Sequence, residues 1–267
     1  MERFAHLLWE CERRQIQAAD LPGYTRFVGL SREAQSGEMA RLISGNPELF
    51  ELSKLRGVYC KFGQAEWINA LVTSGEIRLS PASYYNSPGL GGARYDDELR
   101  IRTEITPYDH DLGLIPPVLN DRFPTRRWAT IRYSKPSDHY IYCVTCEFNF
   151  RYFIDFRTVE APANCCAIIS DQGEFENRII AAVQMALPTW NLSFECAKYV
   201  DPFTVISLLA QDPRVLFPIK ELRFMYQREF RLVAIPPQSS WPIPKLDFLH
   251  ICMGPLHDIA KVVTLKC

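Results

Sequence analysis

Apolar residues recur at helical spacing in the first fifty positions, as Phe4, Leu7, Leu8 and Cys11 and again as Met39, Leu42 and Ile43. Leu21-Pro22-Gly23 breaks the two stretches apart. From Leu55 the period changes. Residues 57–62 predict a short strand, and 64–74 predict a helix with Trp67, Ile68, Leu71 and Val72 on one side. Gly75 stands where a helix C-cap glycine belongs, and 76–79 predict a second strand. Leu99, Ile101, Thr103 and Ile105 alternate with Arg100, Arg102 and Glu104, the pattern of a half-exposed strand. Further strands are predicted over 128–133, 140–150, 167–170, 194–200 and 223–235, with a last strand and turn over 246–263. Helices are predicted over 174–185 and 202–211, and irregular chain over the proline-rich 106–128. One helix between the first two strands and a strand-rich second half predict an α+β fold, with a mixed or antiparallel β core and flanking helices. The expected organisation is a helical extension over residues 1–52 and an α+β domain over 53–267.

The chain's 267 residues are 47% hydrophobic, enough to bury a core without disulfides or metal. Its 30 basic and 31 acidic residues nearly cancel, which removes a whole-surface grip on nucleic acid and leaves only local basic patches. Glu2, Glu10, Glu12 and Asp20 interrupt the apolar residues of the N-terminus, so it lacks the form of a signal peptide. No stretch approaches the roughly 20 apolar residues of a membrane span. The expectation is a cytoplasmic chain with no membrane partner, its nine cysteines held as buried thiols. Cys143-Val144-Thr145-Cys146 is a CxxC, followed by Cys165-Cys166. Zinc wants four convergent ligands, however, and on a strand Cys143 and Cys146 face opposite sides. No metal is expected.

The stretch over 223–235 carries the most chemistry. As one strand it sets Phe224, Tyr226, Arg228, Phe230 and Leu232 on one face and Met225, Gln227, Glu229, Arg231 and Val233 on the other. An amide and a carboxylate on a core strand need partners or a cleft. One reading pairs Glu229 with Arg231 or Arg223 at a sheet edge. The other uses the carboxylate to stabilise the positive charge that builds at an anomeric carbon when a glycosidic bond breaks, with Gln227 orienting an acceptor. Tyr59 and Lys61 share a face of the first strand, where Lys61 would hold a pyrophosphate or carboxylate, or cover the core with its stem. The loop over 80–98 offers Tyr84, three glycines (Gly89, Gly91, Gly92) and Arg94 to a phosphate, without Walker or Rossmann spacing. Asp96, Asp97 and Glu98 read as a solvated acidic turn rather than a divalent-metal site. There is no Gly-x-Ser-x-Gly, and His250 and His257 read as structural or exposed.

Three segments then resemble a known family in their order. They are Tyr59-Cys60-Lys61-Phe62 with the following AEWINALVTSGEIRLS, Tyr142-Cys143-Val144-Thr145, and Tyr226-Gln227-Arg228-Glu229-Phe230. The chain over about residues 55–263 resembles the ADP-ribosyltransferases. In that family an early strand bears Arg or His, a middle strand Ser, Thr or Tyr, and a late strand the catalytic Glu, often as Gln-x-Glu. Lys61 stands where Arg or His is usual, and the Ser-Thr-Ser triplet is absent. The SYYN…RYDDEL and YQREFR segments are also similar to a group of bacterial proteins, some of them toxin or phage-defence ADP-ribosyltransferases. The resemblance implies an ADP-ribosyltransferase-like fold that uses NAD as substrate. Glu229 would hold the nicotinamide ribose, Gln227 would position the acceptor, Tyr59, Lys61, Thr145 and Tyr84 would line the NAD pocket, and Arg94 would contact phosphate or target. It further implies a toxin or antiviral effector that modifies a macromolecule, with an antitoxin or chaperone as partner. Arg122, Arg126, Arg127 and Arg132 around Trp128 suit stacking and phosphate contact, which points to RNA or DNA as acceptor, although they equally fit a solvated loop. An NAD glycohydrolase, and an inactive interaction module, are the alternatives.

Overall fold

Strand β5 (Tyr140–Thr145) organises the sheet, because Tyr140, Tyr142 and Val144 enter the apolar core and both its edges are used. In the computed structural model, residues 41–87, 90, 96–105, 129–156, 163–200 and 216–266 are described. The chain order is β1 (Tyr59–Gly63), α1 (Ala65–Thr73), β2 (Glu76–Pro81), β3 (Arg100–Ile105), β4 (Ala129–Ser134), β5, and the short α2 (Arg151–Asp155). After these come β6 (Cys165–Ile169), α3 (Gln172–Ala186), β7 (Asn191–Cys196), β8 (Lys198–Val200), β9 (Ile219–Glu221), β10 (Glu229–Ile235), β11 (Leu249–Cys252) and β12 (Ala260–Thr264). Eight strands form one sheet in the order β11-β2-β5-β1-β6-β12, with β10 against β5 and β7 beyond β10. Every pairing in this sheet is antiparallel. β3 and β4 form a separate hairpin, and β8 and β9 a short parallel pair. The architecture is mixed α+β with a mostly antiparallel sheet.

Alternation divides the core in two. Tyr59, Tyr142, Val144, Ala167, Ile169 and Leu232 form one layer with Ile68, Leu71 and Val72 of α1 and Phe175, Ile179 and Val183 of α3. On the opposite face, Cys60, Phe62, Cys166 and Ile168 meet Phe148, Phe150, Tyr152 and Phe153. Leu42, Ile43, Leu49 and Leu52 pack onto that second cluster, and Asn46 accepts a hydrogen bond from the Lys266 amide at 2.8 Å. The later part of the expected extension is thus built onto the domain; residues 1–40 lie outside the described residues.

Gly75 is required twice. Its φ of +75° is left-handed, and a Cβ there would lie 1.9 Å from the carbonyl oxygen of Gly254. Gly75→Ala is expected to cost about 2–4 kcal/mol in urea unfolding; a loss under ~1 kcal/mol would contradict this close approach.

Two predicted strands are shorter than their apolar patterns. The 140–150 strand ends at Thr145, and its later aromatics turn into α2 and the second cluster. The 223–235 strand is corrected more substantially. Leu222–Gln227 is a 3-10 turn, Arg228 takes a left-handed conformation with φ 43°, and the strand begins only at Glu229. The predicted 194–200 strand is split between β7 of the main sheet and β8 of the small pair. The predicted helix over 202–211 lies outside the described residues.

Candidate functional site

One edge of β5 is taken along its length by β10, with Glu229 opposite Thr145. The other edge is shared. Ser80 and Pro81 of β2 pair with Ile141 and Tyr140, while β1 touches β5 only through Cys60 and Thr145. β1 and β2 therefore diverge along β5, and a cleft of about 990 Å³ opens in the gap. On one side stands α1 with Trp67, 52% exposed; on the other stands the 3-10 turn Ala82–Asn86 with Tyr84 and Tyr85. Thr145, Lys220 and Glu229 line its inner end.

Lys61 bridges the divergence. Its ammonium donates to the Cys143 carbonyl at 2.6 Å and lies 4.3 Å from the centre of the Tyr142 ring. A carbonyl that has lost its strand neighbour is thereby given a charged donor. Thr145 donates to the Glu147 carbonyl at 2.9 Å, which holds the hydroxyl at the end of β5. Tyr84 packs edge-on to Phe248 at 4.8 Å, and the Arg78 guanidinium lies 4.4 Å from the Phe248 ring, so the outer wall is aromatic and cationic.

Glu229 is only 7% exposed, yet it is not at a sheet edge: β10 lies between β5 and β7. Lys220 donates to its Oε1 at 2.9 Å and Arg231 to its Oε2 at 2.6 Å. Arg231, fully buried, donates through two nitrogens to both oxygens of Glu98 at 3.1 and 3.0 Å. Lys135 Nζ lies 3.7 Å from Glu98, and Lys220 Nζ lies 3.8 Å from Glu98 and 3.9 Å from Asp96. Three acidic side chains and three cations thus share one dry cluster, and Glu229 and Glu98 reach from it to the cleft. The ion pair anticipated for Glu229 and Arg231 is present, but in the interior, where each charge depends on its partners.

Burial would raise the Glu229 carboxyl, but Lys220 and then Arg231 hold it below its ordinary value. Burial acts on Glu98 in the same way, and Arg231, Lys220 and Lys135 overcome it, to about 2. Asp96 goes the other way: burial and the neighbouring Glu98 push it up to about 7 against the pull of Lys220. Its Oδ2 has no hydrogen-bond partner among the described residues. An unfolded Asp titrates at about 3.9, so the protonated Asp96 supports the fold fully below that value, and this contribution is lost as pH rises through about 7. Asp96→Asn is expected to raise the melting temperature by a few degrees at pH 8 and hardly at all at pH 4. An equal gain at both would rule out Asp96 as the source.

The acidic run is therefore not a solvated turn. Asp96 and Glu98 are buried against lysine and arginine, and Asp97 is half-buried, 3.4 Å from Arg100. Gln227 is brought to Glu229 by a different route from the one expected. It does not share a strand face with Glu229; instead Lys220 donates to its Oε1 at 2.9 Å from the same ammonium that holds Glu229. Gln227 is completely buried and does not line the cleft, and neither does Tyr59. The Tyr59 hydroxyl donates to Glu176 at 2.6 Å, and its ring packs 5.0 Å from that of Phe230, which is a core role. Lys61, Thr145, Tyr84 and Glu229 do meet at the cleft. Arg94, Arg122, Arg126, Arg127 and Trp128 lie outside the described residues, and Arg132, exposed on β4, is absent from the cleft lining.

Cys143 and Cys146 lie in different surroundings. The Cys143 thiol lines the cleft and is pushed up to about 12 by burial and by Glu229. Burial and Cys196 raise Cys146 to about 11. The seven described cysteines are all free thiols. No helix among the described residues is long and apolar enough to cross a membrane.

Sequence reasoning missed Lys220, Lys135 and the inward-facing Glu98. Arg231 was the available signal, since an arginine within Phe230–Ile235 needs a buried acid. Comparison with protein-family models, with curated proteins and with solved structures gives no match to this chain.

Proposed function

We propose that the chain is an NAD-dependent ADP-ribosyltransferase with an ADP-ribosyltransferase-like fold. The observation that carries the reading is one row across the sheet: Cys60 of the early strand pairs with Thr145 of the middle strand, which pairs with Glu229 of the late strand. The three segments whose order resembles the family are adjacent in space, and they meet at a cleft. A volume of about 990 Å³ suits a dinucleotide, and the cleft offers Lys61 and Arg78 to phosphates and Trp67 and Tyr84 to planar rings. Glu229, kept ionised at the inner end, would hydrogen bond a ribose hydroxyl and stabilise the oxocarbenium ion as nicotinamide departs. Lys61 takes the position where the family carries Arg or His. Tyr59 and Gln227 would act indirectly, by supporting β1 and by holding Lys220. The acceptor is proposed to be a macromolecule, with RNA or DNA favoured by the arginines around Trp128.

The test is incubation with NAD labelled in its adenylate half, with separate pools of RNA, DNA and protein, while released nicotinamide is measured. Label on one pool together with nicotinamide release is the expected result. Release without label on any pool would identify an NAD glycohydrolase. Neither release nor NAD binding by calorimetry would leave an interaction module and overturn the reading.

A further inference from the structure

A carboxylate at the dry end of a cleft faces two difficulties: burial favours its neutral acid, and a flexible side chain samples several rotamers. Glu229 meets both through groups from four separate segments. Lys220 comes from β9, Arg231 from β10 itself, Glu98 from the chain just before β3, and Lys135 from the residue just after β4. The two carboxylate oxygens are taken by different cations, Oε1 by Lys220 and Oε2 by Arg231, so the group cannot rotate without breaking a charged hydrogen bond. Lys220 and Arg231 together carry one positive charge more than Glu229 needs, and Glu98, bidentate on Arg231, balances it.

We propose that Lys220 and Arg231 are positioning residues that hold Glu229 as a carboxylate of fixed orientation at the inner end of the cleft, with Glu98 balancing their charge. The inference rests on the reading of Glu229 as the carboxylate that serves the reaction. Buried ion clusters are poor sources of stability compared with apolar packing, so one that ends at a cleft is better accounted for by what it does to the group lining that cleft. The other groups facing Glu229 are Asp96 beside Lys220, Cys143 and Thr145 from β5, and the Tyr199 hydroxyl of β8, which accepts a hydrogen bond from the Glu229 amide at 2.9 Å. With the cations present, the net effect on Glu229 is downward, despite the opposing pull of burial and of Glu98.

The experiment is a carbon-13 titration of glutamate-carboxyl-labelled protein, with the Glu229 signal assigned by its absence in Glu229→Gln. In the wild type that signal should titrate below the ordinary glutamate range, because Lys220 and Arg231 hold the carboxylate. In Lys220→Met its midpoint should move up by more than about one pH unit, roughly a tenfold change in the acid equilibrium. Lys220→Arg should restore the wild-type midpoint. The same three proteins are then compared for nicotinamide release against pH. Lys220→Met should lose its rate on the acid side and regain it at higher pH, with KM for NAD nearly unchanged; a merely structural lysine would lower the rate equally at every pH. Equal Glu229 midpoints in the wild type and Lys220→Met overturn the proposal, whatever the turnover. A wild type that releases no nicotinamide, with the midpoint shifted as stated, overturns the proposed reaction and leaves the control of Glu229 by Lys220 standing.

Discussion

Glu229→Gln is expected to slow nicotinamide release by roughly 10²–10³-fold while leaving the fold intact, in line with the loss of one preorganised electrostatic contact to a charged transition state. The choice of glutamine matters. Glu229→Ala would remove an acceptor from both Lys220 and Arg231, and leaving a buried charge without its partner costs about 3–5 kcal/mol. A dead alanine variant could therefore be an unfolded one. Glutamine keeps the shape and one acceptor oxygen, and Arg231 retains both oxygens of Glu98. Circular dichroism and a thermal melt establish the fold first, and nicotinamide release is measured afterwards. Near wild-type turnover in a folded Glu229→Gln protein would remove Glu229 from the chemistry, and with it the assignment of the cleft.

What was legible in the chain divides by range. Period and capping are local, so β1, α1 with its Gly75 cap, β2 and β3 were found close to their observed limits. The stretch before Glu229 was not, because Leu222–Gln227 alternates like a strand while following β9 directly. The chain must pass from the small β8–β9 pair back into the main sheet within those residues, and a 3-10 turn with a left-handed Arg228 makes the reversal. The turn buries Phe224 and Gln227, three residues apart, and exposes Met225, so one residue from each expected strand face goes inward. Gln227 and Glu229 converge all the same, through Lys220, a residue with no periodic signature. Glu98 was misread for a related reason. Three acids in a row look solvated until the arginine they answer is known, and Arg231 is 133 residues further along the chain.

Arg231 is the position at which a substitution should damage stability most. Its guanidinium is fully buried and serves Glu229 and Glu98 together, so Arg231→Met would leave two carboxylates near one another in a dry interior with Lys220 and Lys135 as their remaining cations. The expected loss is about 3–5 kcal/mol, a large part of the ~5–15 kcal/mol that keeps a domain folded. The loss should be specific to charge rather than to volume, because methionine fills much of the same space. Adding Glu98→Gln removes the second charge as well, and the double variant should recover on the order of 1–3 kcal/mol relative to the sum of the two single changes. Urea unfolding of the four proteins in this cycle reads the coupling directly. Additive losses would mean that Glu98 and Arg231 do not act as a unit, and the charge balance at the inner end of the cleft would then need another source.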